Sequence, residues 1–215
     1  MRRYLCIDFE TNGFAKRAAP PNEWPLPFAN YPIQVSVDIV EDGVVHHAYD
    51  SLIRGAKQLA PWVRENVPIS IEDLQQNGKD LREVLADIAA LLSPGDTIVA
   101  HNVTFDLSMV VGRATERLGI DTPEVHRILS APRFCTMRCN YSRSSFKGPP
   151  KLQRLCDHFQ VTLERAHDAT GDSAALAACV AEALHRGVMF TPCGPLASSS
   201  FFAAQQPGAK GVAAC

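Results

Sequence analysis

The chain has 215 residues, of which 46% are hydrophobic and 20% charged, and its formal net charge is −2. That length suits one domain with a sizeable core, and the near-neutral balance excludes a polycation built throughout for nucleic acid, so any basic binding surface must be local. No apolar run approaches the roughly 20 residues needed to span a membrane, and no signal-peptide h-region is present, so the expectation is a soluble cytoplasmic or nuclear protein without a membrane partner.

Residues 3–9 read as a buried strand that runs into the carboxylates of IDFETNG, Ile7 to Gly13. A Pro-rich segment from Phe14 to Pro32 breaks regular structure. IQVSVDIV (33–40) alternates apolar and polar residues, Glu41-Asp42-Gly43 supplies a turn, and VVHHAYDSLI (44–53) alternates again, which is a β-hairpin pattern. PISIEDLQQ (68–76) starts a short helix with Ser70 as N-cap and Asp73 three residues on. LREVLADIAALL (81–92) has helical spacing and ends at Pro94-Gly95.

TIVAHN (97–102) is a second short buried strand, followed by a helix over 105–118 closed by Gly119. A helix over PEVHRILS precedes the apolar stretch FCTM (134–137), and two more helices follow at 151–159 and 173–186. Strands followed by strand–helix alternation indicate an α/β fold. From Val188 onward Ala, Ser, Gly, Pro and Gln dominate without periodicity, so the expected domain is 1–187 and 188–215 reads as a flexible tail. The seven cysteines are odd in number and scattered, which reads as reduced thiols. Cys135 and Cys139 are four apart, but no second Cys or His pair completes a zinc pattern.

Asp8 and Glu10 sit at i and i+2 of a strand, so they share a face and Phe9 points away. Like charges held that close repel unless a cation lies between them or one takes a proton. AHNVTFDLSMV (100–110) places Asp106 in the first turns of a helix after a strand, and AHDATGDSAAL (166–176) places His167 in a loop with Asp172 at the entrance to the final helix. Taken singly, each has a structural reading: a solvated acid, a group favouring the helix dipole, an N-cap, a loop histidine. Taken together, four acids and one histidine stand at the ends of regular elements, where α/β folds gather their sites.

DFETNG, HNVTFD and HDATGD, in that order, closely resemble the motifs of the DEDDh exonucleases, a branch of the RNase H-like superfamily. The resemblance covers roughly residues 3–186 and takes in IQVSV and KLQRLCDHF outside the motifs. It implies a mixed five-stranded sheet with helices on both sides, and a metal-dependent 3′→5′ exonuclease that releases nucleoside 5′-monophosphates. It further implies that Asp8, Glu10 and Asp172 bind one divalent cation, with Asp8 bridging to a second that Asp106 serves. His167 would be the general base. The residues suit that chemistry, because oxygen-rich acidic sites take hard cations such as Mg²⁺ or Mn²⁺. Two such ions about 3.5–4 Å apart stabilise both the attacking and the leaving oxygen. Histidine, with an ordinary pKa near 6.5, takes a proton at neutral pH.

The resemblance also places the terminal 3′-hydroxyl of the nucleic acid against the backbone of Thr11, Asn12 and Gly13, with Phe14 and Phe105 against the last bases. For Phe105 a core position is the competing reading, and for His101 and Asn102 substrate contact competes with loop hydrogen bonding. The segment 133–154 carries Arg133, Arg138, Arg143, Lys147, Lys151 and Arg154 with no acid, interleaved with Phe134, Tyr141 and Phe146. Cations that track phosphates and aromatics that stack bases suit single-stranded nucleic acid, so Arg143 and Lys147 are expected to bind it; a solvated basic loop is the alternative. Single-stranded DNA is the favoured substrate. An exoribonuclease differs only in tolerating the 2′-hydroxyl, and a catalytically silent binding subunit would be expected to lack one of the five residues. The tail, which has no counterpart in the resemblance, is the expected place for a protein partner, and oligomeric state is left open.

Overall fold

The computed structural model describes residues 3–13 and 30–188. The expected contact at Phe14, most of the Pro-rich segment, and the tail beyond Val188 lie outside the described residues. Val188 itself donates its backbone N–H to Ala183 O and packs on the core.

Five strands, β1 (Arg3–Thr11), β2 (Pro32–Glu41), β3 (Val44–Leu52), β4 (Thr97–Ala100) and β5 (Arg133–Cys135), form one sheet in the order β3-β2-β1-β4-β5. β1 pairs antiparallel with β2 and parallel with β4, β2 pairs antiparallel with β3, and β4 pairs parallel with β5. This is the mixed five-stranded sheet expected. The hairpin β2–β3 turns at Asp42 and Gly43, both at positive φ.

Alternation in the strands sorts residues onto two faces. Leu5, Ile7, Phe9, Ile33, Val35, Val37 and Ile39 enter one core, which helices α1 (Pro61–Asn66), α2 (Ile71–Asn77), α3 (Leu81–Leu91), α4 (Arg113–Leu118) and α5 (Pro123–Ser130) help to cover. Tyr4, Cys6 and Val40 enter the other, under α6 (Asn140–Ser145), α7 (Leu152–Phe159) and α8 (Ala169–His185). The polar residues of IQVSVD therefore do not face solvent. Gln34, Ser36 and Asp38 are buried beneath α8 and bond to it.

The capping box at Ser70 and Asp73 forms as expected: Asp73 N donates to Ser70 Oγ, and Ser70 N to the Asp73 carboxylate. Three departures bear on function. The helix expected over 105–118 is π-helical over Thr104–Gly112 and regular only in α4, where Gly119 closes it at φ 62°. π-Helical turns collect at functional sites. α8 starts at Ala169, four residues before the expected Ser173, so Asp172 lies inside its first turn and Asp168 is the N-cap. The segment 133–154 folds into β5, α6 and the start of α7. No described helix is long and apolar enough to cross a membrane.

Candidate active site

On β1 the row Tyr4, Cys6 faces α7 and α8, and Asp8 and Glu10 continue that row to the strand's C-terminal end, while Phe9 turns into the opposite core. The first turn of α8 brings Asp172 to the same place. From the element after β4, Asp106 Oδ1 accepts a hydrogen bond from Phe9 N at 3.2 Å, which fixes that carboxylate against the strand. Asp172 Oδ2 accepts from His167 N at 3.2 Å. Ligand atoms of Glu10, His167 and Asp172 all lie within 4.8 Å of one another. Three distant stretches thus bring the five expected residues together.

Burial pushes every one of these acids up, and neighbouring carboxylates add to it at Asp8, Glu10 and Asp172. Asp8 rises well above the ordinary range, first through loss of water and then through the charges of Asp106, Asp172, Glu10 and Asp168. Burial, with Asp172, Asp106 and Asp168 nearby, raises Glu10 to about 8. Burial raises Asp106 to about 7 despite the Phe9 N–H, and Asp172 to about 6 despite the bond from His167 N. Asp172 Oδ1 is buried with no hydrogen-bond partner. An oxygen-rich set with excess negative charge and an orphaned carboxylate oxygen fits a hard divalent cation such as Mg²⁺ or Mn²⁺.

A stability prediction follows. Between the ordinary carboxylate range near pH 4 and about pH 8, folded Glu10, Asp106 and Asp172 hold protons that the unfolded chain has released. The metal-free fold binds more protons than the unfolded state there, so this contribution falls as pH rises through that window. Calorimetry with chelator present should show the melting temperature dropping between about pH 5 and 8, and Mg²⁺ should restore more of it at the higher pH. A flat profile, equal with and without Mg²⁺, would contradict the cluster's electrostatics.

The loop carrying His167 is held on several sides. His167 adopts φ 64°, a left-handed conformation that costs a non-glycine residue about 1–3 kcal/mol and persists only where neighbours over-determine it. Asp168 Oδ1 accepts from Thr170 N at 3.3 Å and from Gln34 Nε2 at 2.9 Å, and Asp168 Oδ2 pairs with Arg165 Nη1 at 3.0 Å. Gly171 allows the loop to lie on α8: a Cβ there would stand 2.3 Å from Arg165 O. The exposed indole of Trp62, on α1, meets the His167 imidazole edge to face with ring centroids 4.8 Å apart. α1 is tethered to the acid-bearing strand, since Ala60 N donates to Asn12 O and Asn12 Nδ2 to Gln58 O. Trp62, Gln34 and Asp168 are the functional neighbours that sequence reasoning missed.

The expected substrate contacts divide. His101 Nε2 donates to Pro150 O at 2.9 Å, so its Nδ1 accepts from Thr136 Oγ1 at 3.0 Å; both ring nitrogens serve the loop. Asn102 O accepts from Phe105 N and Asp106 N and starts the π-helical turns. Phe105 is half-buried and packs against the core. Thr11 is buried, its Oγ1 donating to Gly13 O at 3.4 Å. Asn12 N donates to Tyr31 O and Asn12 Oδ1 accepts from Tyr31 N, so neither is free for a terminal hydroxyl.

The basic segment needs correction. Phe134 and Phe146 are core residues of the α7/α8 face, and Tyr141 stacks on Phe159 while its hydroxyl meets His158 Nε2 at 2.8 Å. These aromatics are spent on packing rather than offered to bases. Arg133 is buried. Arg138, Arg143, Lys147, Lys151 and Arg154 remain exposed. Cys139 Sγ caps α6 by accepting from Ser142 N.

A family model described as RNase_T, exonuclease, matches residues 5–180. No curated protein matches the sequence. Among solved structures, one titled for 3′-end specific recognition of histone mRNA stem-loop by 3′-exonuclease is 15% identical, with TM-score 0.70 over 91% of this chain and 87% of that one. The nuclease domain of 3′hExo, described as a DEDDh family member bound to rAMP, is 15% identical, with TM-score 0.66 over 90% and 97%. The E. coli ExoI–ssDNA complex is 16% identical, with TM-score 0.63 over 86% of this chain and 41% of the other.

Proposed function

Since the chain belongs to the RNase_T exonuclease family, we propose that it is a metal-dependent 3′→5′ exonuclease that releases nucleoside 5′-monophosphates, with single-stranded DNA as its favoured substrate. The observation that carries this reading is the meeting of Asp8, Glu10, Asp106 and Asp172 with His167 at one end of the central strand. Asp8, Glu10 and Asp172 would hold one cation and Asp8 with Asp106 a second. When bound, such ions supply charge neutralisation for the phosphodiester and lower the pKa of water.

The remaining work falls to the chain's own groups. The four carboxylates would set the place of those cations at the C-terminal end of β1, since bare carboxylates repel a phosphodiester. The His167 imidazole takes the proton of the attacking water as general base. Trp62 limits the ring's freedom to turn and shields one side from solvent. Arg143 and Lys147 are exposed on α6 and just after it, where they would hold strand phosphates at a distance from the reaction. The deciding experiment uses 3′-labelled single- and double-stranded DNA and RNA, with Mg²⁺, Mn²⁺ or chelator. Both sugars are included because a structural neighbour is titled for mRNA and another for ssDNA. Metal-dependent release of labelled mononucleotide supports the reading; release from the 5′ end, or internal cutting alone, defeats it.

Arg143→Glu with Lys147→Glu should raise KM by roughly 10-fold or more and flatten its salt dependence, because fewer counterions are released on binding. The value of kcat at saturation should stay near that of the parent. A fall in kcat alone would remove these two residues from the binding surface.

A further inference from the structure

Gln34 stands directly across from Glu10 in the β1–β2 pairing, on the face beneath α8, and is buried. Its amide makes two bonds of opposite polarity to consecutive residues immediately after His167. Gln34 Nε2 donates to Asp168 Oδ1 at 2.9 Å, and Gln34 Oε1 accepts from Ala169 N at 3.1 Å. One side chain therefore connects the strand partner of Glu10 to the loop that carries the imidazole.

From this geometry we infer that Gln34 is a positioning residue: it clamps the Asp168–Ala169 junction and thereby holds His167 over Glu10 and Asp172. The inference rests on the proposed role of His167. Only an amide meets both demands, a donor for the carboxylate and an acceptor for the backbone N–H. A glutamate would set a second carboxylate against Asp168, and a methionine would leave the Ala169 N–H without its partner and Asp168 Oδ1 with Thr170 N alone. Removing the clamp should act locally, because α8 has a separate tether one turn on. There Ser173 Oγ meets Ser36 Oγ at 2.8 Å and Asp38 Oδ2 at 2.6 Å. With that tether intact Asp172 keeps its place, while the left-handed His167 loses the neighbour that fixes its height.

The test compares Gln34→Met, Gln34→Glu, and Gln34→Glu combined with Asp168→Asn. Gln34→Met should lose on the order of 10–100-fold in kcat, the scale of a small misplacement of a reacting group. KM and Mn²⁺ affinity should stay within about twofold, since neither depends on the imidazole. Gln34→Glu should lose at least as much. The double variant should recover part of that loss, because an asparagine NH2 at 168 donates to the new carboxylate, although it takes the place of the oxygen that accepts from Thr170 N. In NMR spectra of the metal-free protein, the His167 ring signals should shift or broaden in Gln34→Met while those of His101 hold. Unchanged kcat and unchanged His167 signals in Gln34→Met would overturn the inference. So would a double variant no better than Gln34→Glu, or a loss confined to Mn²⁺ affinity. If the parent protein releases no mononucleotide from any 3′ end, the exonuclease reading falls, and the ring signals still decide whether Gln34 positions His167.

Discussion

Asp8→Asn should yield a folded domain that releases essentially no mononucleotide, with turnover down by at least about 10³-fold. Asp8 is the acid on which the others converge: Asp106, Asp172, Glu10 and Asp168 all press on its charge. It is also the proposed bridge between two cations, each associated with several kcal/mol of transition-state charge stabilisation. The neutral amide occupies the same volume, so packing beside Cys6 is undisturbed. Relief of like-charge repulsion should raise the melting temperature of the metal-free variant while removing most of its response to Mg²⁺. Steady-state turnover and calorimetry on one preparation check both halves. Near-parental turnover would defeat the two-cation proposal, and an unfolded variant would show that Asp8 is structural.

His167→Ala should lower kcat by on the order of 10²–10⁴-fold, the range for a general base, with KM and Mn²⁺ affinity little changed. Because His167 sits at φ 64°, His167→Gly offers a control: it should lose the same activity while relieving backbone strain and raising the melting temperature. Loss of Mn²⁺ binding in either variant would make the ring a ligand instead of a base, an alternative that its closeness to Glu10 and Asp172 keeps in view.

The acids were legible in the sequence because strand parity alone puts Asp8 and Glu10 on one face, and the three motifs supply the rest. The hairpin and the capping box at Ser70 were equally plain, since both depend on neighbours within a few residues. What escaped depends on contacts that local pattern does not carry. Thr170 and Gly171 look like helix breakers, yet α8 runs through them because Gly171 must admit Arg165 O. α1 and α6 span six residues each, too short for periodicity to declare itself. Tyr141 and Phe146 read as base-stacking aromatics because their partners, Phe159 and His158, lie in the next helix. Gln34 meets Asp168 across 134 positions of sequence, and a polar residue in an alternating strand otherwise reads as solvent-facing.

The order in which the chain is made gives the fold one more property. A chain leaves the ribosome N-terminus first. An incomplete product that stops before the loop leading into α8 already contains Asp8, Glu10 and Asp106, but it has neither His167 nor Asp172. It also lacks the helix that covers Cys6 and Val40 and the serine that bonds Ser36 and Asp38. The residues proposed to cut nucleic acid thus come together only when the last described helix docks. Until that helix docks, a nascent chain of this design carries three of the proposed acids without the complete site, and a product that ends before it never completes the site.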